Sequence, residues 1–248
     1  MILDKIARST RVRIEEAKKR LGQTELEAMI YGSEGIKGFN NRPAFVFEKT
    51  LMVSEDMAFI CEIKKASPSK GIIAEDFPYL EIAKDYEEAG AACISVLTEP
   101  EFFLGDDRYL REISSTVAIP VLRKDFTLDE YQIYEAKAIG TDAVLLICSL
   151  LDEKTIRTYI SLCDELGLSA LVEAHTREEL DVALAAGARL IGVNNRNLKN
   201  FEVDLENSIR LRSYAPEEIC FVAESGIKTA DDIRRLKEAG VNAVLIGE

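Results

Sequence analysis

One junction recurs five times along this chain: the end of an amphipathic segment, a glycine, a short step, and an unbroken apolar run. It is read in "EEAGAACISVL", "KAIGTDAVLLI", "DELGLSALVE", "LAAGARLIGV" and "KEAGVNAVLI". Gly90, Gly140, Gly167, Gly187 and Gly240 each stand where a helix would stop, and glycine accepts the left-handed turn that ends one. The runs that follow are apolar throughout, as strands are when a parallel sheet is covered on both faces. Amphipathic stretches such as "YLEIAKDYEEAG", "DEYQIYEAKAIG", "REELDVALAAG" and "TADDIRRLKEAG" lie between them, so helix and strand alternate over most of the chain.

Strands are expected at Phe59–Ile63, Cys93–Leu97, Pro120–Lys124, Ala143–Cys148, Ser169–Glu173, Leu190–Asn194, Cys220–Glu224 and Ala243–Ile246. Eight parallel strands in 248 residues, without a G-x-G-x-x-G after the first, predict an α/β protein of the (β/α)8 TIM-barrel type rather than an open dinucleotide-binding sheet. Residues 1–56 read as an N-terminal helical extension packed on the barrel, which takes 57–248. Helical patterns in the extension cover Leu3–Arg20 and Pro43–Met52, and Gly32, Gly35 and Gly38 mark a flexible loop between them. The sequence stops at Glu248, where the eighth strand would hand over to its helix, so that final helix is expected to be missing.

A net charge of −13 repels nucleic acid and anionic membranes, so neither is expected as a partner. The N-terminal "MILDKIARSTRVRIEEAKKR" interrupts its apolar residues with charges and cannot be a signal or spanning segment. Cys61, Cys93, Cys148 and Cys220 sit in strand-like runs and Cys163 in a helical one. With a single histidine and no C-x-x-C, no metal site is expected, and reduced buried thiols suit the cytoplasm.

In such a barrel, chemistry collects at the C-terminal ends of the strands. Those ends carry Glu62 and Lys64, Thr98 and Glu99, Lys124 and Asp125, Ser149, Glu173 and His175, Asn194 and Arg196, Glu224 and Ser225, and Glu248. A lone Glu62-x-Lys64 reads equally as an internal ion pair. Lys64 and Lys124 facing Glu173 would nonetheless make acid–base machinery that needs neither metal nor cofactor. Ser225-Gly226 ahead of a helix fits a simple tight turn, or, with Gly247 after the last strand, a cradle for a phosphorylated substrate. His175 is expected to orient a neighbour, and Phe103 and Phe126 are either core or a wall for a planar ring.

The segments "CEIKKASPSKG", "VLTEPEFFLGD", "PVLRKDF", "LVEAHT", "GVNNRNL" and "VAESGI", in this order, resemble indole-3-glycerol phosphate synthase over essentially the whole chain. The resemblance implies cofactor-free ring closure of 1-(2-carboxyphenylamino)-1-deoxyribulose 5-phosphate, with loss of carbon dioxide and water, in tryptophan biosynthesis. It implies Lys124 as the general acid, Lys64 as partner of the substrate carboxylate and a second candidate acid, and Glu173 as the base of dehydration. Glu62 and Asn194 would orient these groups. Arg196 would add a contact near the anthranilate end, Phe103, Phe126 and Leu145 would pack the ring, and Ser225, Gly226 and Gly247 would hold the phosphate. Ser67, in a mobile loop, and Leu245 would complete the substrate wall, and the helices ahead of the first strand would help cover the substrate. No obligate protein partner is implied, so a monomer is expected.

One departure is that Glu248 follows Gly247, where the family often has a phosphate-binding serine directly or one position later. Rival readings are another phosphate-binding barrel, such as phosphoribosylanthranilate isomerase or the tryptophan synthase α subunit, and a non-catalytic barrel scaffold. The I-K-x-x-S-P-S loop and the paired lysines separate this chain from the first two.

Overall fold

The computed structural model describes residues 2–31, 42–197 and 201–247. Gly32, Gly35 and Gly38, and Glu248 with the expectation of a missing closing helix, lie outside them. Three helices come first: α1 (Ile2–Arg20), α2 (Gln23–Tyr31) and α3 (Val46–Met52). Strand β1 (Ala58–Ile63) is followed by a small antiparallel hairpin of β2 (Ala66–Ser67) and β3 (Gly71–Ile72). Alternation then sets in, with α4 (Tyr79–Glu88), β4 (Cys93–Leu97), α5 (Asp107–Thr116), β5 (Val121–Lys124), α6 (Glu130–Ala138) and β6 (Ala143–Ile147). It continues through α7 (Glu153–Leu166), β7 (Ser169–Ala174), α8 (Arg177–Ala186), β8 (Leu190–Asn194), α9 (Glu206–Arg212), β9 (Cys220–Glu224), α10 (Ala230–Glu238) and β10 (Ala243–Ile246).

Strands β1 and β4 to β10 close into a parallel barrel, with Ala58 of β1 opposite Ala243 of β10 and Ile60 opposite Cys93 of β4. Local chemistry sets the helix ends. Asp106, Asp129, Asp152, Thr176 and Thr229 each accept a backbone N–H of the helix they open. The five junction glycines all adopt positive φ, between 69° and 91°, where a side chain would be strained.

Successive strand residues point alternately into the barrel and out to the helices. The inward set, including Ile60, Leu122, Leu145, Leu171, Val222 and Leu245, forms one apolar core that also takes in Phe47 and Leu51 of α3. The first inward residues of several strands are small (Ala58, Cys93, Ala143, Cys220 and Ala243), which leaves room for the fully buried Phe47 beneath them. Helix α3 therefore plugs the N-terminal end of the barrel. Its Glu48 N–H donates to Ser169 Oγ at 3.2 Å.

Helix α1 runs along the flank instead. Ile14 packs with Leu26 of α2 and with Tyr131 and Ala138 of α6. Arg13 grips Asp125 with two hydrogen bonds of 2.9 and 2.6 Å, and Lys18 pairs with Asp129 at 2.7 Å.

The expected strands are all present, with shifts of a residue at some ends. Proline has no N–H, so Pro120 contributes only its carbonyl, to Ile94, and β5 begins at Val121. Two expectations for the extension are corrected. The chain ahead of β1 holds a third helix, α2, split from α1 after Arg20; and α3 starts at Val46 rather than Pro43, because Phe45 adopts left-handed φ of 60° just before it.

Candidate active site

The C-terminal strand ends open onto a cavity of about 360 Å³, within the range of small-molecule sites. Glu62, Lys64, Lys124, Glu173 and Asn194 line it, as do Ser67, Phe103, Phe126, Leu145, Arg196, Ser225, Gly226, Leu245 and Gly247. The geometry thus gathers into one space the residues to which the family resemblance gave a part in catalysis or substrate binding.

Two charged groups share the floor. On one side Lys64 Nζ donates to Glu62 Oε1 at 2.7 Å, and Ser95 Oγ to Glu62 Oε2 at 3.4 Å. On the other, Lys124 Nζ donates to Glu224 Oε2 at 2.8 Å and to Glu173 Oε2 at 3.1 Å. Glu173 is further approached by Asn194 Nδ2 at 3.5 Å and His175 Nε2 at 3.6 Å. His175 itself does not line the cavity; its ring sits between Glu173 and Glu179, with Nε2 3.6 Å from Glu173 Oε1 and Nδ1 3.4 Å from Glu179 Oε2.

Burial works against the Lys124 ammonium, but Glu224, Glu173 and Glu62 outweigh it and hold Lys124 charged well beyond the usual lysine range. Burial likewise raises both glutamates. For Glu173 the nearby Lys124 and His175 reverse the effect, leaving it below the usual carboxylate range. Glu224 is pushed up to about 7, because Lys124 offsets its burial only in part and the like charge of Glu173 adds to it. One carboxylate beside Lys124 therefore stays ionised while the other titrates near neutrality.

Glu224 is the group that sequence reasoning passed over: it appeared among the strand-end residues but received no role. The signal was available in Gly192. That glycine faces inward on β8, and a Cβ there would lie 2.2 Å from Glu224 Oε1, so only glycine leaves the carboxylate its place. Also missed were Ile2, Leu3 and Ile6 of α1 and Phe201 and Val203 beyond β8, which form the outer wall.

Some strand-end residues do not join the site chemistry. Glu99 accepts the backbone N–H groups of Glu101, Phe102 and Phe103 and so shapes the loop that presents Phe103. The Asp125 carboxylate is spent on Arg13, Thr98 Oγ1 and the Phe126 N–H, and Ser149 is exposed away from the cavity. Phe103 and Phe126 do form a wall, with ring centroids 6.1 Å apart and planes tilted by 39°.

At the far side, Ser225 and Gly226 both have positive φ, of 67° and 80°, ahead of α10. A Cβ on Gly226 would strike Val203 Cγ1 at 2.2 Å, so the loop after β8 lies directly on this turn. Gly247 is held as closely, with Glu62 Cβ 2.8 Å from where its Cβ would be. Among the described residues no group of three or more His, Cys, Asp or Glu could hold a metal, and no helix is long and apolar enough to cross a membrane.

The barrel is similar to N-acetylmannosamine-6-phosphate 2-epimerase from Clostridium perfringens, with a TM-score of 0.58 over 77% of this chain and 86% of that one. At 15% identity the likeness is one of fold alone. Sequence relatives are much nearer. An indole-3-glycerol phosphate synthase of Ruminiclostridium cellulolyticum is 61% identical over 248 residues, covering 100% of this chain and 93% of the relative. One from Lachnoclostridium phytofermentans is 55% identical over 253 residues, with the same coverage. The family model described as indole-3-glycerol phosphate synthase matches residues 3–248, nearly the whole chain, and together with these relatives it shows that the chain belongs to the indole-3-glycerol phosphate synthase family.

Proposed function

We propose that this protein converts 1-(2-carboxyphenylamino)-1-deoxyribulose 5-phosphate to indole-3-glycerol phosphate in tryptophan biosynthesis, with Lys124 as the proton donor of ring closure. The observation that carries the assignment is the placing of Lys124 Nζ between Glu173 and Glu224, apart from the Glu62–Lys64 pair. An ammonium held charged in this way has its proton in place when the ribulose carbonyl oxygen begins to gain charge.

In this reading the phosphate lies against Ser225, Gly226 and Gly247, and the aromatic ring lies among Phe103, Phe126 and Leu145, with Ser67, Arg196 and Leu245 completing the enclosure. The ring carbon bearing the carboxylate attacks the ketone carbon, and the ketone oxygen takes a proton from Lys124. Lys64, paired to Glu62, exchanges that partner for the substrate carboxylate. The carbon–carboxylate bond then breaks, carbon dioxide leaves, and its electron pair restores the aromatic ring. Loss of water completes the indole: Glu173, oriented by Asn194, removes a proton from the carbon next to the hydroxyl, and the hydroxyl leaves as water with a proton from Lys64. The reading also takes the enzyme as a cytoplasmic monomer.

The test is single-turnover kinetics followed by indole fluorescence, with equilibrium binding alongside. Lys124→Met keeps the stem and removes the acid, and should lower the rate by about 10² to 10⁴ with little change in affinity. Lys64→Met should weaken binding as well. Near-normal turnover by Lys124→Met would move the acid role to Lys64.

A further inference from the structure

Asn195 follows the last residue of β8 and lies outside the cavity, yet it is only 3% exposed and joins three separate parts of the fold. Its N–H donates to Glu224 O at 2.8 Å, and its carbonyl accepts the Asp204 N–H at 3.0 Å. Its side chain accepts the Ser208 N–H at 3.0 Å and the Ser208 hydroxyl at 2.7 Å through Oδ1, and donates from Nδ2 to Ser225 O at 3.1 Å. The amide can face only one way: a backbone N–H cannot accept and a backbone carbonyl cannot donate.

The bond to Ser225 matters because of what a trans peptide does. In the unit linking Ser225 to Gly226, the C=O and N–H point in opposite directions. Capture of the Ser225 carbonyl by Asn195 therefore turns the Gly226 N–H to the other side, where Gly226 lines the cavity. Among the described residues nothing accepts that N–H. Ser225 is moreover a non-glycine residue at φ of 67°, a conformation that persists only where its surroundings enforce it.

We propose that Asn195 is a positioning residue for the substrate phosphate: by fixing the Ser225–Gly226 peptide it aims the Gly226 N–H at the anion, without touching substrate. This rests on the reading that the phosphate binds at that turn. The role concerns affinity at the phosphate end and leaves the chemistry at Lys124 alone.

The experiment compares wild type with Asn195→Asp, which keeps size and the acceptor toward Ser208 but sets an oxygen against the Ser225 carbonyl. Competitive inhibition by inorganic phosphate, and KM and kcat for the phosphorylated and dephosphorylated substrates, are read for each. Asn195→Asp should weaken phosphate inhibition and raise KM for the phosphorylated substrate by about ten- to a hundredfold, the loss of one hydrogen bond to a charged group. It should leave kcat, and the constants for the dephosphorylated substrate, little changed. If Asn195→Asp does not fold, Asn195→Ser carries the same expectation. Ser208→Ala is the control, since it loosens the same hub on the side away from Ser225 and should lower stability while sparing phosphate affinity. Wild-type inhibition by phosphate with equal inhibition of the Asn195 variant would overturn this inference alone. So would a Ser208→Ala effect on phosphate as large as that of Asn195→Asp. An absence of phosphate inhibition in wild type would overturn the phosphate reading and this inference together.

Discussion

Replacing Glu224 with glutamine isolates the electrostatic load that the site places on the fold. Glu224 is buried, its Oε2 accepts from Lys124, and its Oε1 has no hydrogen-bond partner among the described residues. In the folded protein it titrates near 7, against an ordinary 4.5 that the unfolded chain recovers. Between those values the folded state holds a proton that the unfolded state has released, so stability falls as pH rises through the window. The gap between 4.5 and about 7, at about 1.4 kcal/mol per pH unit, sets the loss at roughly 3 kcal/mol, complete above pH 7 and absent below 4.5. Glutamine resembles the protonated form at every pH and removes this component. Urea melts of both proteins at half-unit steps from pH 5 to 8 measure it: the stability of Glu224→Gln relative to wild type should climb steadily across the series by most of that amount. How the new amide settles shifts the two curves by a constant, which the slope of their difference does not contain. A difference that stays flat, or shrinks, as pH rises would refute the reasoning.

Gly192→Ala tests the same carboxylate sterically, since the added methyl overlaps Glu224 Oε1 and also crowds Leu171 Cδ1 at 3.2 Å. Thermal melts should show a loss of about 1–3 kcal/mol from overpacking, and single-turnover kinetics a slower chemical step as Glu224 is driven from Lys124; a wild-type rate would speak against a part for Glu224. Arg13→Ala removes the bidentate grip of α1 on Asp125, whose carboxylate keeps the Thr98 hydroxyl and the Phe126 N–H. The expected loss is about 1.5–3 kcal/mol in urea melts, the range for a hydrogen bond to a charged group, and coincident midpoints would show that the Arg13–Asp125 pair adds nothing net to the hold of α1 on the barrel.

The barrel was legible in the sequence because its signals are local and repeated. Each junction glycine marks a helix end by its own backbone freedom, and each apolar run fixes a strand to within a residue or so. The N-terminal segment lacked such punctuation: α2 buries only Leu26 completely, so little apolar periodicity marked it as a helix of its own. The β2–β3 hairpin, two residues a side, is shorter than any pattern can register. Strand ends told which side chains could reach the mouth, but not which were already engaged. Glu99 and Asp125 have the same chemistry as Glu173, yet bond to a neighbouring loop and to Arg13 more than a hundred positions upstream. Glu224 shows the converse, its importance resting on Lys124 and on the missing side chain of Gly192, neither of which is near it in sequence.

The helix that seals the barrel's lower end also governs traffic. With Phe47 and Leu51 seated beneath an apolar core, the described residues fill the barrel between the cavity and its N-terminal end. In the proposed reaction, substrate, carbon dioxide, water and product would therefore enter and leave on the side of the C-terminal strand ends. A gas molecule released at the floor must then travel upward past the indole intermediate, or wait beside it.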